Sequence, residues 1–313
     1  MQNMILETLI ETNYLFAVLM ALSEAKALSK LEKGISFDDL HKQTHIPEPL
    51  LLAMVDLLKS VNLTTSENGL LKIAGDLQEQ VKRHSLARVS ANLTSAYGQM
   101  RELINAASEN RLQLGWHHTD EIILQAQGTH SEAVATHFVP AVPPLQALLQ
   151  QPQAKFLDVG AGVGKICLKL CELYPNLTAV GLEPADIPFS LAQGNLALSP
   201  YQNRIELRKI GIEDLDDDSS FDVIWLAQGF ILDKHLIPGL PKLKKALKPN
   251  GMLFVAVTLS KTLPENKTKH FINTLHGSGR DENDVINRLT DAGFINITET
   301  TKSGPYVIIT AQS

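Results

Sequence analysis

Cysteine is scarce in these 313 residues: there are two, Cys167 and Cys171. Two thiols cannot staple a chain of this size, which excludes a disulfide-built secreted scaffold and suits a reducing, cytoplasmic setting. Long basic runs are absent as well. With 28 basic against 34 acidic side chains and a formal charge of −6, a main affinity for a phosphate backbone is not expected. The longest apolar stretch near the start, Tyr14 to Leu22, is closed in by Glu11 and Glu24. It falls short of the ~20 residues that a bilayer requires, and no basic segment precedes it, so neither a membrane span nor a secretory signal is expected. No internal repeat or low-complexity tract occurs.

What is present is an ordinary globular composition, 44% apolar and 20% charged. At about 100 to 200 residues per domain, the length suggests two domains. The texture changes near residue 150, where Val139-Pro-Ala-Val-Pro-Pro144 and Gln150-Gln-Pro-Gln153 suit a connection. The boundaries read as 1–110 for a helical domain, 111–150 for a helical linker and 151–313 for an α/β domain.

In the first part, residues 4–33 read as helix. Ser36 with Asp39 opens a short helix, Phe37 to Thr44, and Pro47 opens a second one that runs to Val61. Leu63 to Thr65 and Leu70 to Ala74 read as strands joined by Ser66-Glu-Asn-Gly69, a hairpin signal. Helix, turn, helix and hairpin make a winged-helix module. Its second helix offers one base, Lys59, against Glu48 and Asp56. That favours a structural or dimerisation role over reading DNA.

Beyond residue 150, short Val/Ile/Leu-rich runs alternate with helical stretches. Strands are expected at 155–159, 177–182, 204–208, 221–226, 251–257, 295–300 and 306–310, the last two joined at Lys302-Ser-Gly304. Helices are expected at 165–174, 190–198, 237–247 and 282–292. The pattern predicts a Rossmann-like, doubly wound, mostly parallel seven-stranded sheet, whose ligand crevice lies beyond the carboxyl ends of the strands.

The first of those ends carries Asp158-Val-Gly160-Ala-Gly162-Val-Gly164. Its spacing fails the dinucleotide fingerprint, because Lys165 stands after Gly164, and fails the P-loop, because three residues rather than four separate Gly160 from Gly164. An acidic residue two before a G-x-G-x-G resembles class I S-adenosylmethionine (SAM) methyltransferases. Glu183 ends the next strand where a ribose diol would be held. Leu247-Lys-Pro-Asn-Gly251 resembles a further turn of those enzymes.

With the winged-helix module, the chain resembles the small-molecule O-methyltransferase superfamily. Gly115-Trp-His-His-Thr-Asp120, Ala126-Gln-Gly128 and Trp225-Leu-Ala-Gln-Gly-Phe230 are similar to a bacterial branch of it. The resemblance implies a homodimer formed through the N-terminal domain and SAM as cofactor. It puts Asp158, Gly160, Gly162 and Gly164 on the methionine half and Glu183 on the ribose. Ile212, Glu213, Ala227 and Gln228 are further candidates for the cofactor. Trp116, Phe230 and Met100 are candidates for the acceptor, with Tyr97 and Phe271 in the same regions.

Two departures stand out. Gly211 occupies the place of an adenine-reading Asp. Gln228-Gly-Phe-Ile-Leu-Asp233 lacks the histidine that acts as general base in plant-type members. A base is needed only for a protonated acceptor such as a phenol near pKa ~10. The candidates are the tandem His117 and His118 and, after the fourth strand, His235; His137 and His270 read as ordinary. No metal site is expected, because adjacent histidines without further ligands do not bind one ion.

Methyl transfer to a small molecule, most readily at oxygen, is the expected function, without nucleic-acid or membrane partners. The alternatives are a non-catalytic regulatory or scaffold protein with this fold, and a SAM-binding enzyme of non-methylating chemistry.

Overall fold

In a computed structural model of the chain, residues 5–258, 267–303 and 306–313 are described. They form two compact units, 1–98 and 99–313. The division falls ahead of both positions expected from the sequence, near 110 and near 150. The helices after Gly98 therefore belong with the sheet. Gly304, in the expected Lys302-Ser-Gly304 turn, lies outside the described residues.

The first unit holds α1 (Ile5–Glu24), α2 (Ala27–Lys33), α3 (Phe37–Thr44), α4 (Glu48–Ser60), β1 (Thr64–Glu67), β2 (Leu70–Ile73), α5 (Gly75–His84) and the start of α6 (Leu86–Ser108). The single helix expected over 4–33 is broken, because Lys26 takes a left-handed conformation at φ 56°. Ser36 caps α3 as its sequence suggests: its Oγ accepts from Asp39 N at 3.1 Å. Asn68 and Gly69 both have positive φ, 51° and 77°. A two-residue turn needs this if its twist is to match that of β1 and β2. Leu28, Leu31, Leu40, Leu51 and Leu58 fill the core of this unit.

The helix α1 corrects the reading of the apolar start. It is 20 residues long with a mean hydropathy of 1.5, apolar and long enough to cross a bilayer. Only Met20 and Leu22 of it are buried. The apolar surface does not stop at Glu11: Ile5, Leu6, Leu9 and Ile10 extend it along the same helix and are exposed.

The second unit continues with α7 (Glu121–Ser131), a π turn (Val134–Phe138), α8 (Pro143–Leu149), β3 (Lys155–Val159), α9 (Lys165–Leu173), β4 (Thr178–Leu182), α10 (Asp186–Ala197), β5 (Ile205–Arg208), β6 (Phe221–Leu226), α11 (Asp233–Ala246), β7 (Leu247–Thr258), α12 (Lys267–His276), α13 (Glu282–Asp291), β8 (Ile295–Ser303) and β9 (Tyr306–Gln312). The seven-stranded sheet runs β5-β4-β3-β6-β7-β9-β8. Its first five strands are parallel, and β9 is antiparallel to both β7 and β8. This is the doubly wound α/β architecture expected from the alternating pattern, with an antiparallel edge.

Three local expectations change. Pro143 and Pro144 start α8 rather than lying in a connection, since a proline in the first helical turn forfeits no hydrogen bond. The helix α11 begins at Asp233, four residues before the expected Ile237, and accommodates Pro238 and Pro241. The helix α12, which carries Phe271, adds to the helices expected, between the fifth strand and residue 282. The strand order reverses at β3, with β4 added on one side and β6 on the other while all three stay parallel, which opens a crevice at their carboxyl ends.

Candidate functional site

Two loops meet at the crevice. Leu182 O accepts from Gly160 N at 3.0 Å and from Ala161 N at 2.8 Å, which folds the glycine loop over the end of β4. Glu183 binds the loops together, accepting from Gly162 N and, two residues on, from Ala185 N, each at 2.9 Å. Burial pushes the Glu183 carboxyl up, while those two backbone N–H donors pull it down. A cavity of about 240 Å³ lies against these groups. Gly160, Gly162, Glu183, Ala227, Trp116 and Phe230 are among its walls.

Gly162 shows what the glycines do. Its φ is +55°, and a Cβ built on it would meet nothing within 4 Å. The open space there is the cavity itself, so backbone rather than side chain faces it. Gly128 of α7 serves a different end. A Cβ there would overlap Val163 Cγ2 and come within 3.0 Å of Lys165 Cγ, so the glycine lets α7 press against the glycine loop.

Asp158, at the end of β3, is fully buried beneath the loop. Cys167 Sγ donates to its Oδ2 at 3.6 Å, whereas Oδ1 is buried with no hydrogen-bond partner. Burial drives its pKa from 3.8 to about 7; the Cys167 bond opposes the rise and the charge of Glu183 adds to it. An unsatisfied acceptor at this point is suited to an incoming cation or N–H donor. Gly164 stands apart from the cavity wall as the left-handed residue that starts α9.

Nine residues expected at the site do not line this cavity: Asp158 and Gly164 just described, the tandem His117 and His118, and Gln228, Ile212, Glu213, His235 and Met100. Gln228 is buried, and its Oε1 accepts from Ser278 Oγ at 2.9 Å and Arg280 Nη1 at 2.8 Å, so it anchors its own loop. Ile212 packs under α11, where a Cβ on Gly239 would stand 2.5 Å from its Cγ1. Glu213 and His235 bond each other, Oε1 to Nδ1 at 2.6 Å. Met100 is 45% exposed and lines no cavity described here.

The tandem histidines separate. His117 turns back, its Nε2 donating to Leu114 O at 2.8 Å. The ring of His118 enters an aromatic cluster, with its centroid 4.4 Å from Trp116 and 5.9 Å from His276. Trp116 also lies edge-on to Phe230 at 5.0 Å and to His276 at 4.9 Å. Nδ1 of His118 donates to Oε2 of Glu102. On the far side of this cluster is a second cavity of about 330 Å³, lined in part by Glu102, Glu109, Arg111, His117, His118 and His276.

His276 is a residue the sequence did not single out. It is 4% exposed, and its buried Nε2 has no hydrogen-bond partner. Burial, reinforced by the charge of His118, lowers its pKa from 6.5 to about 4. Nothing around Leu275-His276 forms a motif; its signal is spatial, created when α12 packs beside Trp116.

The chain resembles known proteins both in sequence and in fold. Residues 157–253, from β3 into β7, match the family described as methyltransferase domain. An uncharacterized protein of Rickettsia prowazekii is 30% identical over 130 residues, covering 39% of this chain and 46% of that one. The matches span less than half the length of the first curated relatives found. Among solved structures, an O-methyltransferase family protein from Burkholderia thailandensis is 14% identical with a TM-score of 0.70, covering 98% of this chain and 96% of that one. Human N-acetylserotonin methyltransferase, determined in complex with SAM, is also 14% identical with a TM-score of 0.70, covering 100% and 98%. Within the α/β unit, residues 157–253 therefore resemble a methyltransferase domain, and the described residues share the fold of these solved structures.

Proposed function

We propose that this protein is a SAM-dependent methyltransferase that acts on a small molecule at oxygen. The observation that carries the reading is the joint of Gly162 and Glu183 at the ends of β3 and β4, facing an open cavity inside the methyltransferase domain. Gly160 and Gly162 would take the methionine half along bare backbone, and Asp158 would use its unpartnered oxygen nearby. Glu183 retains lone pairs beyond its two backbone bonds with which to take a ribose hydroxyl. SAM would supply an electrophilic methyl group. Ala227, Trp116 and Phe230 would orient the acceptor against it and exclude water, since positioning supplies much of the rate of an in-line displacement. Oxygen as the acceptor atom is favoured by the fold shared with an O-methyltransferase family protein.

The finer organisation belongs to the same proposal. Residues 1–110 would act as a winged-helix dimerisation domain, 111–150 as a helical segment that contributes to the acceptor site, and 151–313 as the cofactor domain. The exposed apolar face of α1 (Ile5, Leu6, Leu9, Ile10, Tyr14) suits a second copy of the chain. Within α4, Lys59 pairs with Asp56 at 3.8 Å, which leaves that helix little positive charge for nucleic acid. A cytoplasmic location fits the two free, buried thiols, Cys167 and Cys171.

Calorimetry with SAM and with S-adenosylhomocysteine tests the proposal. Binding of both is expected, with loss in Gly162→Arg. No binding by the intact protein, or unchanged binding in that variant, overturns it. Sedimentation at graded concentrations, without and with lipid vesicles, tests the role of α1.

A further inference from the structure

Lys165 follows the glycine loop and lines the same cavity, yet its ammonium group has no hydrogen-bond or ion-pair partner among the described residues. Its stem is not free. A Cβ on Gly128 would come within 3.0 Å of Lys165 Cγ and 3.7 Å of Lys165 Cβ, so α7 lies directly on the half-buried side chain. Among the described residues, Lys165 and Glu183 are the charged side chains that line this cavity. Glu183 is already engaged by Gly162 N and Ala185 N. Two polar walls on α7 also satisfy each other, with Gln127 Nε2 donating to Ser131 Oγ at 3.4 Å. Lys165 is thus the cation left over.

Two further features point the same way. Lys165 is the first residue of α9, and no side chain caps the first turn of that helix. Its leading N–H groups and the positive end of its dipole add to the charge of the ammonium group. Trp225, another wall of the cavity, is 7% exposed, and its buried Nε1 has no acceptor. Donors without acceptors, gathered at one cavity, suit an anion. A sulfonium ligand brings positive charge of its own, which an unpaired ammonium repels unless the same ligand or its co-substrate supplies a negative group there. We propose that Lys165 and the open first turn of α9 hold a carboxylate carried into this cavity by a ligand. The proposal rests on the SAM-binding reading above and adds a residue that selects the ligand. Lys165 binds and orients; it takes no part in the bonds that change. The carboxylate has two sources, the amino-acid end of SAM or an acidic acceptor.

The test is calorimetry on the full chain, wild type and Lys165→Met, a variant that keeps an unbranched stem beneath Gly128 and removes the charge. The first arm compares SAM with decarboxylated SAM, which retains the sulfonium and the amine. With the cofactor as source, the variant is expected to bind SAM ~10-fold or more weakly and decarboxylated SAM less than about 3-fold more weakly. The second arm titrates 4-hydroxybenzoate and phenol into the protein saturated with S-adenosylhomocysteine. With the acceptor as source, SAM affinity is unchanged and the variant loses ~10-fold in 4-hydroxybenzoate affinity without an equal loss for phenol. Equal losses for SAM and decarboxylated SAM overturn the proposal. So does unchanged SAM affinity without a selective loss of 4-hydroxybenzoate. In either case SAM binding by the wild-type chain leaves the methyltransferase reading standing, whereas its failure to bind SAM overturns both.

Discussion

Arg280 Nη1 donates to both the main-chain oxygen and the side-chain Oε1 of Gln228, at 2.7 and 2.8 Å. The same guanidinium reaches Ile231 O at 2.7 Å and Asp233 Oδ1 at 2.6 Å, and Asp233 takes a second cation, Arg288. A 5% exposed arginine thus ties down residues 228–233, the loop that gives Phe230 and Ile231 to the cavity. The planar fork reaches four acceptor atoms at once, with Nε and Nη2 sharing Asp233 Oδ1, which an ammonium group does not reproduce.

Arg280→Met is therefore expected to cost about 3 kcal/mol in urea unfolding, because Gln228 and the loop carbonyls lose their donor in a buried setting. Arg280→Lys should recover less than half of that loss. Both variants should bind SAM more weakly, since the loop carries two walls of its cavity. A Lys variant as stable as wild type would show that charge alone suffices.

The glycines of the site are expected to fail in different ways. Gly128→Ala forces a methyl onto Val163 and should cost about 1–3 kcal/mol, as overpacking does, while also displacing the glycine loop. Gly162→Ala places its methyl in open space, at a left-handed backbone that costs about 1–2 kcal/mol. Its SAM affinity should nevertheless fall by ~10-fold or more, because the methyl occupies the face left bare for the ligand. Thermal melts and calorimetry on both variants check the contrast, and equal affinity losses in the two would remove the distinction.

Asp158 is expected to trade stability for binding. Its carboxyl is held up from 3.8 to about 7. Between those values the folded state retains a proton that the unfolded state has released, so this group's contribution to stability falls as pH rises toward 7. Asp158→Asn should therefore be more stable than wild type in urea at about pH 8, with a smaller gain at about pH 5. Its affinity for SAM should drop, because the amide removes the anionic acceptor. A variant that is no more stable at the higher pH would contradict the burial account.

The sheet was legible because its signals are local. The runs Lys155–Val159 and Phe221–Leu226 match β3 and β6 residue for residue, and the turn residues Ser36, Asn68 and Gly69 declare their conformations. The glycine loop and Glu183 were legible for the same reason: each ends a strand, and the crevice lies where strands end. Asn250 carries a smaller message of this kind, since it stands in the Leu-Lys-Pro-Asn-Gly turn at φ 66°, a conformation that Asn tolerates. What the sequence hid is set by contacts between distant segments. Gln228 looks like a site residue until Arg280, 52 positions away, takes its oxygen. His276 looks like nothing until α12 brings it to Trp116, and Glu102 acquires meaning only through His118.

His276 gives the protein an expected acid weakness. Its pKa is lowered from 6.5 to about 4, so between those values the unfolded state binds a proton that the folded state refuses. Stability from this group is present above 6.5 and is lost as pH falls through the interval, the opposite sense to Asp158. Near neutrality the ring is uncharged and packs against Trp116 and Phe230. Below pH 5, protonation would place a cation where its Nε2 finds no acceptor. His276→Phe keeps a flat ring and removes the titration. Its urea midpoint should therefore lose less than wild type's between about pH 7 and about pH 4.5, measured alongside the Asp158→Asn variant so that the two groups are separated. Parallel curves for wild type and His276→Phe would mean that this imidazole titrates freely and is not buried against the aromatic cluster.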